Sequence, residues 1–106
     1  MKTVAPSLLD EIVRRLVAEF QPEQIILFGS HAWGTASDDS DLDLFVIVTD
    51  SNETPYRRAV RAYGCLQDLC VPKDLLVKTR AEAERYRHVR ASLAHKVLER
   101  GRVLYG

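Results

Sequence analysis

The sequence predicts a single mixed α/β domain. Three observations carry that expectation. Apolar residues recur at helical spacing near the N-terminus and again after residue 55. Short apolar runs rich in β-branched and aromatic residues stand between those stripes. At 106 residues, 46% hydrophobic and 28% charged, the chain has the composition of one globular domain, residues 1–106.

The elements follow in order. Leu8, Leu9, Ile12, Val13, Leu16, Val17 and Phe20 form the stripe of an amphipathic helix, with Ser7 as its expected cap and Pro22 as its stop. Gln24-Ile25-Ile26-Leu27-Phe28 reads as a buried strand ending at Gly29. Gly29 to Ser40 is loop-like, with one helical turn near Ala32 and Trp33. Leu42 to Val48 is a second strand. Asp50 to Pro55 has turn chemistry. Tyr56 to Cys70 is expected to be a helix with Tyr56, Val60, Tyr63, Leu66 and Leu69 facing inward. Asp74 to Val77 is a third strand, 81–89 and 92–99 are helical, Gly101 is a stop, and 103–105 is a terminal strand.

Composition excludes several classes. The apolar fraction excludes disorder, five Gly and four Pro exclude a collagen-like chain, and two Cys exclude a disulfide scaffold. Cys65 and Cys70 fit no zinc or redox spacing and are expected to be reduced, buried or half-buried thiols. No stretch approaches the ~20 apolar residues of a membrane span. Asp10 and Glu11 interrupt any signal-peptide core. A cytoplasmic protein is the expectation. Net charge is zero but uneven: residues 1–55 hold three Lys/Arg and ten Asp/Glu, and residues 56–106 hold twelve and five. Such a split suits either a metal site beside a polyanion or two solvated faces. The basic helices of the second half (Arg57, Arg58, Arg61, Arg85, Arg87, Arg90) are expected to face water, a triphosphate or an acidic partner.

Chemistry concentrates in residues 27–48, LFGSHAWGTASDDSDLDLFVIV. Asp41 and Asp43 stand at i and i+2. On a strand they point to one face with Cα atoms roughly 6.5–7 Å apart. Carboxylates that close repel unless a cation lies between them, and a hard divalent cation such as Mg²⁺ suits all-oxygen ligands. Asp43 lies inside an apolar strand, where an uncompensated carboxylate is costly. Asp74 opens another apolar strand and is the candidate third ligand of a two-metal site for phosphoryl displacement. Asp38 and Asp39 read as an acidic loop. Gly29 lets backbone approach a phosphate, and Ser30 adds a hydroxyl, an amide and the start of a helical turn. Other motifs fail in detail. Thr35 stands where a P-loop needs Lys, and Leu44 where a calcium loop needs Gly.

Gly-Ser, ten residues, then Asp-x-Asp, with a later strand Asp, resembles the signature of the polymerase-β-type nucleotidyltransferase superfamily. The likeness is strongest to its minimal nucleotidyltransferase (MNT) group. It covers nearly the whole chain: the leading helix, the FGS strand, SDLDL, the third Asp in KDLLV, and the tail ERGRVLYG. The resemblance implies a polymerase-β-like fold, a small mixed sheet flanked by helices. It implies that Gly29, Ser30 and Ser40 bind the nucleotide, and that Asp41, Asp43 and Asp74 are the catalytic residues and hold two Mg²⁺. ATP would be the substrate, with the α-phosphate attacked in line and pyrophosphate released. It further implies an antitoxin paired with a HEPN-domain toxin, to which AMP is transferred on a tyrosine. Many members carry Arg after Gly-Ser; His31 stands here, a weaker phosphate partner. Trp33 is expected to cover the loop, His88 and His95 to be surface or packing residues, and Tyr56, Tyr63, Tyr86 and Tyr105 to be core-edge aromatics.

The chain is too short for a separate acceptor domain, so the acceptor is expected from a second molecule. Transfer to a protein hydroxyl is therefore the leading reading. An antitoxin that masks its partner without catalysis is the alternative. A small-molecule or nucleic-acid acceptor is disfavoured by the neutral charge and the missing second domain.

Overall fold

Pro6, rather than Ser7, opens the first helix. The computed structural model describes residues 2–106, and α1 runs Pro6–Phe20. Proline at the first helical position loses no hydrogen bond and is already in helical φ. Ser7 thus lies one residue inside the helix and caps nothing. Gln21 closes α1 in left-handed backbone, φ +47°, donating its amide to the Val17 carbonyl at 2.8 Å.

The remaining elements are β1 (Gln24–Phe28), α2 (Ser30–Trp33), β2 (Leu42–Val48), α3 (Pro55–Cys65), β3 (Lys73–Thr79), α4 (Arg80–Arg85), α5 (Leu93–Arg100) and β4 (Arg102–Tyr105). The expected helix over 81–89 ends earlier. From Tyr86 the chain turns until Ser92, whose hydroxyl accepts the His95 amide at 3.1 Å and caps α5.

One four-stranded sheet has the order β3-β2-β1-β4. β1 runs antiparallel to β2 and to β4, and β2 runs parallel to β3. This is the mixed α/β sheet flanked by helices that the sequence predicts. Side chains alternate between the two faces of each strand. Ile25 and Leu27, Leu42, Leu44, Val46 and Val48, and Leu75 and Val77 meet Ile12 and Leu16 of α1 and Ala62 and Leu66 at α3. Ile26, Phe28, Phe45 and Ile47 meet Ala83 of α4 and Val97 of α5 on the other face. Both faces of the central strands are buried, which explains their near-continuous apolar runs.

Helix α3 buries a different face from the one expected. Tyr56, Val60 and Tyr63 are 76%, 53% and 38% exposed, whereas Arg58, Ala62 and Leu66 are buried. Ala62 is small enough to let α3 approach the sheet closely. Arg58 lies inward because its guanidinium has partners there. It donates to Glu82 at 2.7 and 3.2 Å and to the Val77 carbonyl at 3.0 Å. Glu82 also accepts the Thr79 amide at 2.8 Å, closing a capping box at the start of α4.

The uneven charge is largely spent inside the molecule. Arg61 pairs with Glu19 and Glu53, Arg80 with Glu23 and Glu84, and Arg87 with Glu84. Arg58 is thus buried in its pair, whereas Arg61 and Arg87 are paired but still partly face water, and Arg57, Arg85 and Arg90 are exposed as expected. Cys70 is exposed and Cys65 half-buried, both free thiols.

Candidate functional site

The strand arrangement brings three chain segments to one end of the sheet. β1 runs antiparallel to β2, so its last residues lie beside the first residues of β2. β2 and β3 are parallel, so they begin together. Phe28 pairs with Asp43, and Asp43 pairs with Asp74. Directly paired residues share a face at about 4.8 Å between strands. Asp43 and Asp74 therefore project from the face that carries α4 and α5. Gly29 follows Phe28 at once, with φ +75°, a conformation L side chains rarely adopt. A Cβ on Gly29 would overlap Oδ2 of Asp43. Glycine at this position is what allows backbone and carboxylate to touch.

Asp41 lies one residue before β2 and is exposed. Its charge still reaches Asp43. The Asp43 carboxyl is raised above the usual carboxylate range by burial first, then by Asp74 and Asp41, with His31 opposing. Converging negative charge on hard oxygen donors, beside backbone no side chain crowds, fits a divalent cation. As they stand, no three His, Cys, Asp or Glu side chains among the described residues close around a single point. At the outer edge of β3, Asp74 Oδ1 accepts the hydroxyl of Tyr63, which reaches round from α3, at 3.2 Å.

Ser30 is the first residue of α2, and the Gly29 carbonyl accepts the Ala32 and Trp33 amides at 3.0 Å. The first-turn amides of Ser30 and His31 have no intrahelical acceptor, as at any helix start. Ser40 is engaged within its own loop: its hydroxyl accepts the Ser37 amide at 2.8 Å. His31 Nε2 donates to the Ser40 carbonyl at 3.5 Å. Trp33 ties α2 to the end of α5, donating Nε1–H to the Arg100 carbonyl at 3.1 Å beneath the Arg100 guanidinium. Its ring packs on the cluster of Ile26, Phe28 and Val97, and its indole N–H is used in the link to α5.

Two neighbours of the carboxylates are not among the site residues the sequence predicts. His31 lies close enough to Asp43 to favour its charged form. Tyr63 was expected to be a core-edge aromatic, and no spacing rule links a helix Tyr to a strand Asp eleven residues later. A cavity of about 430 Å³ lies on the same sheet face, with Phe45 and Leu76 two residues along from Asp43 and Asp74. Lys78, Arg85 and Tyr86 also line it. No described helix is long and apolar enough to cross a membrane.

Comparison with known proteins bears on the family and the fold. No curated protein matches the sequence. A solved structure from Sulfolobus solfataricus, of a protein assigned as a nucleotidyltransferase, superposes with a TM-score of 0.61 at 25% identity. The match covers 74% of this chain and 70% of that one. The nucleotidyltransferase domain family model matches residues 9–104. A match of that extent shows the family: the chain belongs to the nucleotidyltransferase domain family.

Proposed function

We propose that the chain transfers AMP from ATP to a protein hydroxyl, with a tyrosine of a cognate HEPN-domain toxin as acceptor, and so acts as an antitoxin. The nucleotidyl-transfer part follows from the family. The acceptor and the toxin partner rest on the minimal-nucleotidyltransferase resemblance. The observation that carries the reading is the Asp43–Asp74 pair with Gly29 packed against Asp43.

In this reading Asp41, Asp43 and Asp74 would hold Mg²⁺, which when bound neutralises charge on the phosphates and on the attacking oxygen. Gly29 and Ser30 present backbone and hydroxyl to the β- and γ-phosphates. Asp74, on the far side of Asp43 from Gly29, faces the incoming acceptor and accepts its hydroxyl proton. The acceptor oxygen bonds to the α-phosphorus as the bond from that phosphorus to the bridging oxygen breaks. Pyrophosphate leaves with that electron pair.

The test is incubation with α-labelled ATP, Mg²⁺ and the candidate toxin. Label is expected on the toxin, and Asp41→Asn/Asp43→Asn is expected to remove it. Equal labelling by both proteins, or none by either, overturns the proposal. The exposed row Tyr56, Val60 and Tyr63 on α3 favours a second reading, partner masking without catalysis. That reading requires the double Asp→Asn variant to neutralise the toxin as well as wild type does.

A further inference from the structure

We propose that Tyr63 is a positioning residue for Asp74, fixing one carboxylate oxygen and leaving the other for the cation. This inference rests on the nucleotidyl-transfer reading of the site.

β3 is an edge strand. Alternate N–H groups on its outer side have no neighbouring strand to receive them. Leu75 donates its amide to the Tyr63 hydroxyl oxygen at 3.0 Å. The hydroxyl then donates its own hydrogen to Asp74 Oδ1 at 3.2 Å. One phenolic oxygen thus joins the backbone of residue 75 to the side chain of residue 74. The amide fixes where the hydroxyl stands, and the hydroxyl fixes how the carboxylate turns.

Asp74 needs such a restraint. It is exposed on an edge strand, and Tyr63 is its one side-chain hydrogen-bond partner among the described residues. The like charge of Asp43, paired with it across the ladder, drives the two carboxylates apart when no cation lies between them. A free Asp74 would lose order before it could bind. With Oδ1 held by Tyr63, Oδ2 is the oxygen left to turn toward Asp43, its neighbour across the ladder. Ligating carboxylates are commonly oriented by such an outer hydrogen bond, and losing one typically costs 10- to 100-fold in metal affinity.

Tyr63 could instead serve β3 alone, by satisfying the Leu75 amide. A pair of variants separates the two roles. Wild type, Tyr63→Phe, Asp74→Asn and the double variant are titrated with Mn²⁺, and free Mn²⁺ is read by electron paramagnetic resonance. Tm is recorded without metal. Tyr63→Phe is expected to weaken Mn²⁺ binding about tenfold while Tm stays close to wild type, because the ring remains and the freed amide reaches water. With Mg·ATP, kcat is expected to fall more than KM rises. In the Asp74→Asn background, Tyr63→Phe is expected to add nothing. Wild-type affinity in Tyr63→Phe, or an equal loss in the Asn background, overturns the proposal. Asp43→Asn is the control for the underlying reading. If it binds Mn²⁺ like wild type, nucleotidyl transfer at this site fails and Tyr63 loses its role with it. If it abolishes binding while Tyr63→Phe does not, only the positioning role fails.

Discussion

Asp43 and Asp74 face each other across the β2–β3 ladder, and the first of them is half-buried against Gly29. The fold therefore holds a like-charge pair that opposes its own stability. Removing one charge is expected to stabilise the metal-free protein. Like charges directly opposite on a sheet cost roughly 0.2–1 kcal/mol, so Asp43→Asn is expected to raise Tm by roughly 1–5 °C at pH 7. The pH dependence has a definite sign. The folded carboxyl is raised above its ordinary value, so between the two values the native state binds more protons than the unfolded state. Stability then falls as pH rises through that window. The Asn variant's advantage is expected at neutral pH and should vanish near pH 3. Thermal melts of both proteins in chelator, at both pH values, check this. A variant less stable than wild type at pH 7 would contradict it.

Gly29→Ala addresses the other half of that contact. A Cβ there meets Asp43 Oδ2 and must also adopt φ +75°. The strained backbone alone costs about 1–3 kcal/mol. The expected outcome is a Tm lowered by several degrees, with transfer activity reduced more than tenfold even at temperatures where the variant is fully folded. Gly34 also has positive φ, at +76°, but nothing lies within 4 Å of its would-be Cβ. Gly34→Ala is expected to cost stability alone, so activity at equal folded fraction separates the two glycines.

Much of this arrangement is legible in the sequence because the signals are local. β1 and β2 have the bounds that their apolar runs suggest, and the site segments are the turns at their ends. The i, i+2 aspartates suggest a shared face without any knowledge of topology. What the sequence hides is non-local. Arg58 reads as a surface cation because its partners Val77 and Glu82 come from the next strand and helix. Tyr56 and Val60 read as core because an apolar stripe is ordinarily buried, and the small Ala62 gives no sign that α3 buries the opposite face. The hydrogen bond from Tyr63 to Asp74 exists only once α3 lies along β3. Ser7 reads as a cap until Pro6 is counted as the first helical residue.

The Arg58–Glu82 pair predicts acid sensitivity. Beside the Arg58 guanidinium, and with the Thr79 amide also donating to it, Glu82 is held down to about 2. A carboxylate held below its ordinary value of 4.5 contributes stability that is present above that value and is lost as pH falls toward 2. The Tm difference between wild type and Glu82→Gln is expected to be largest at pH 6 and to shrink steadily below pH 4. Arg58→Ala leaves Glu82 and the Val77 carbonyl without their partner and is expected to cost about 2–4 kcal/mol in denaturant unfolding. A cost below about 0.5 kcal/mol would place Arg58 among ordinary surface residues.

In the proposed reading, the cavity lined by Phe45 and Leu76 takes the acceptor and leaves the nucleotide to Gly29 and Ser30. Gly29 lies on the β1 side of Asp43 and the cavity lies two to four residues further along β2 and β3, so the proposed in-line attack would bring the acceptor from the β3 side. Lys78 and Arg85 line this space and pair with no acid among the described residues, unlike Arg58, Arg61, Arg80 and Arg87. Two unpaired cations over the apolar floor of Phe45 and Leu76 suit an acidic segment of a protein acceptor. Lys78→Glu/Arg85→Glu is expected to weaken capture of the acceptor at least tenfold and to make that capture insensitive to salt. The Tm shift given by Mg·ATP alone should stay within a degree or so of wild type, because neither residue lies at Gly29, Ser30 or the aspartates. If the double variant loses the Mg·ATP shift and keeps acceptor affinity, the cavity serves the nucleotide and the acceptor approaches from elsewhere.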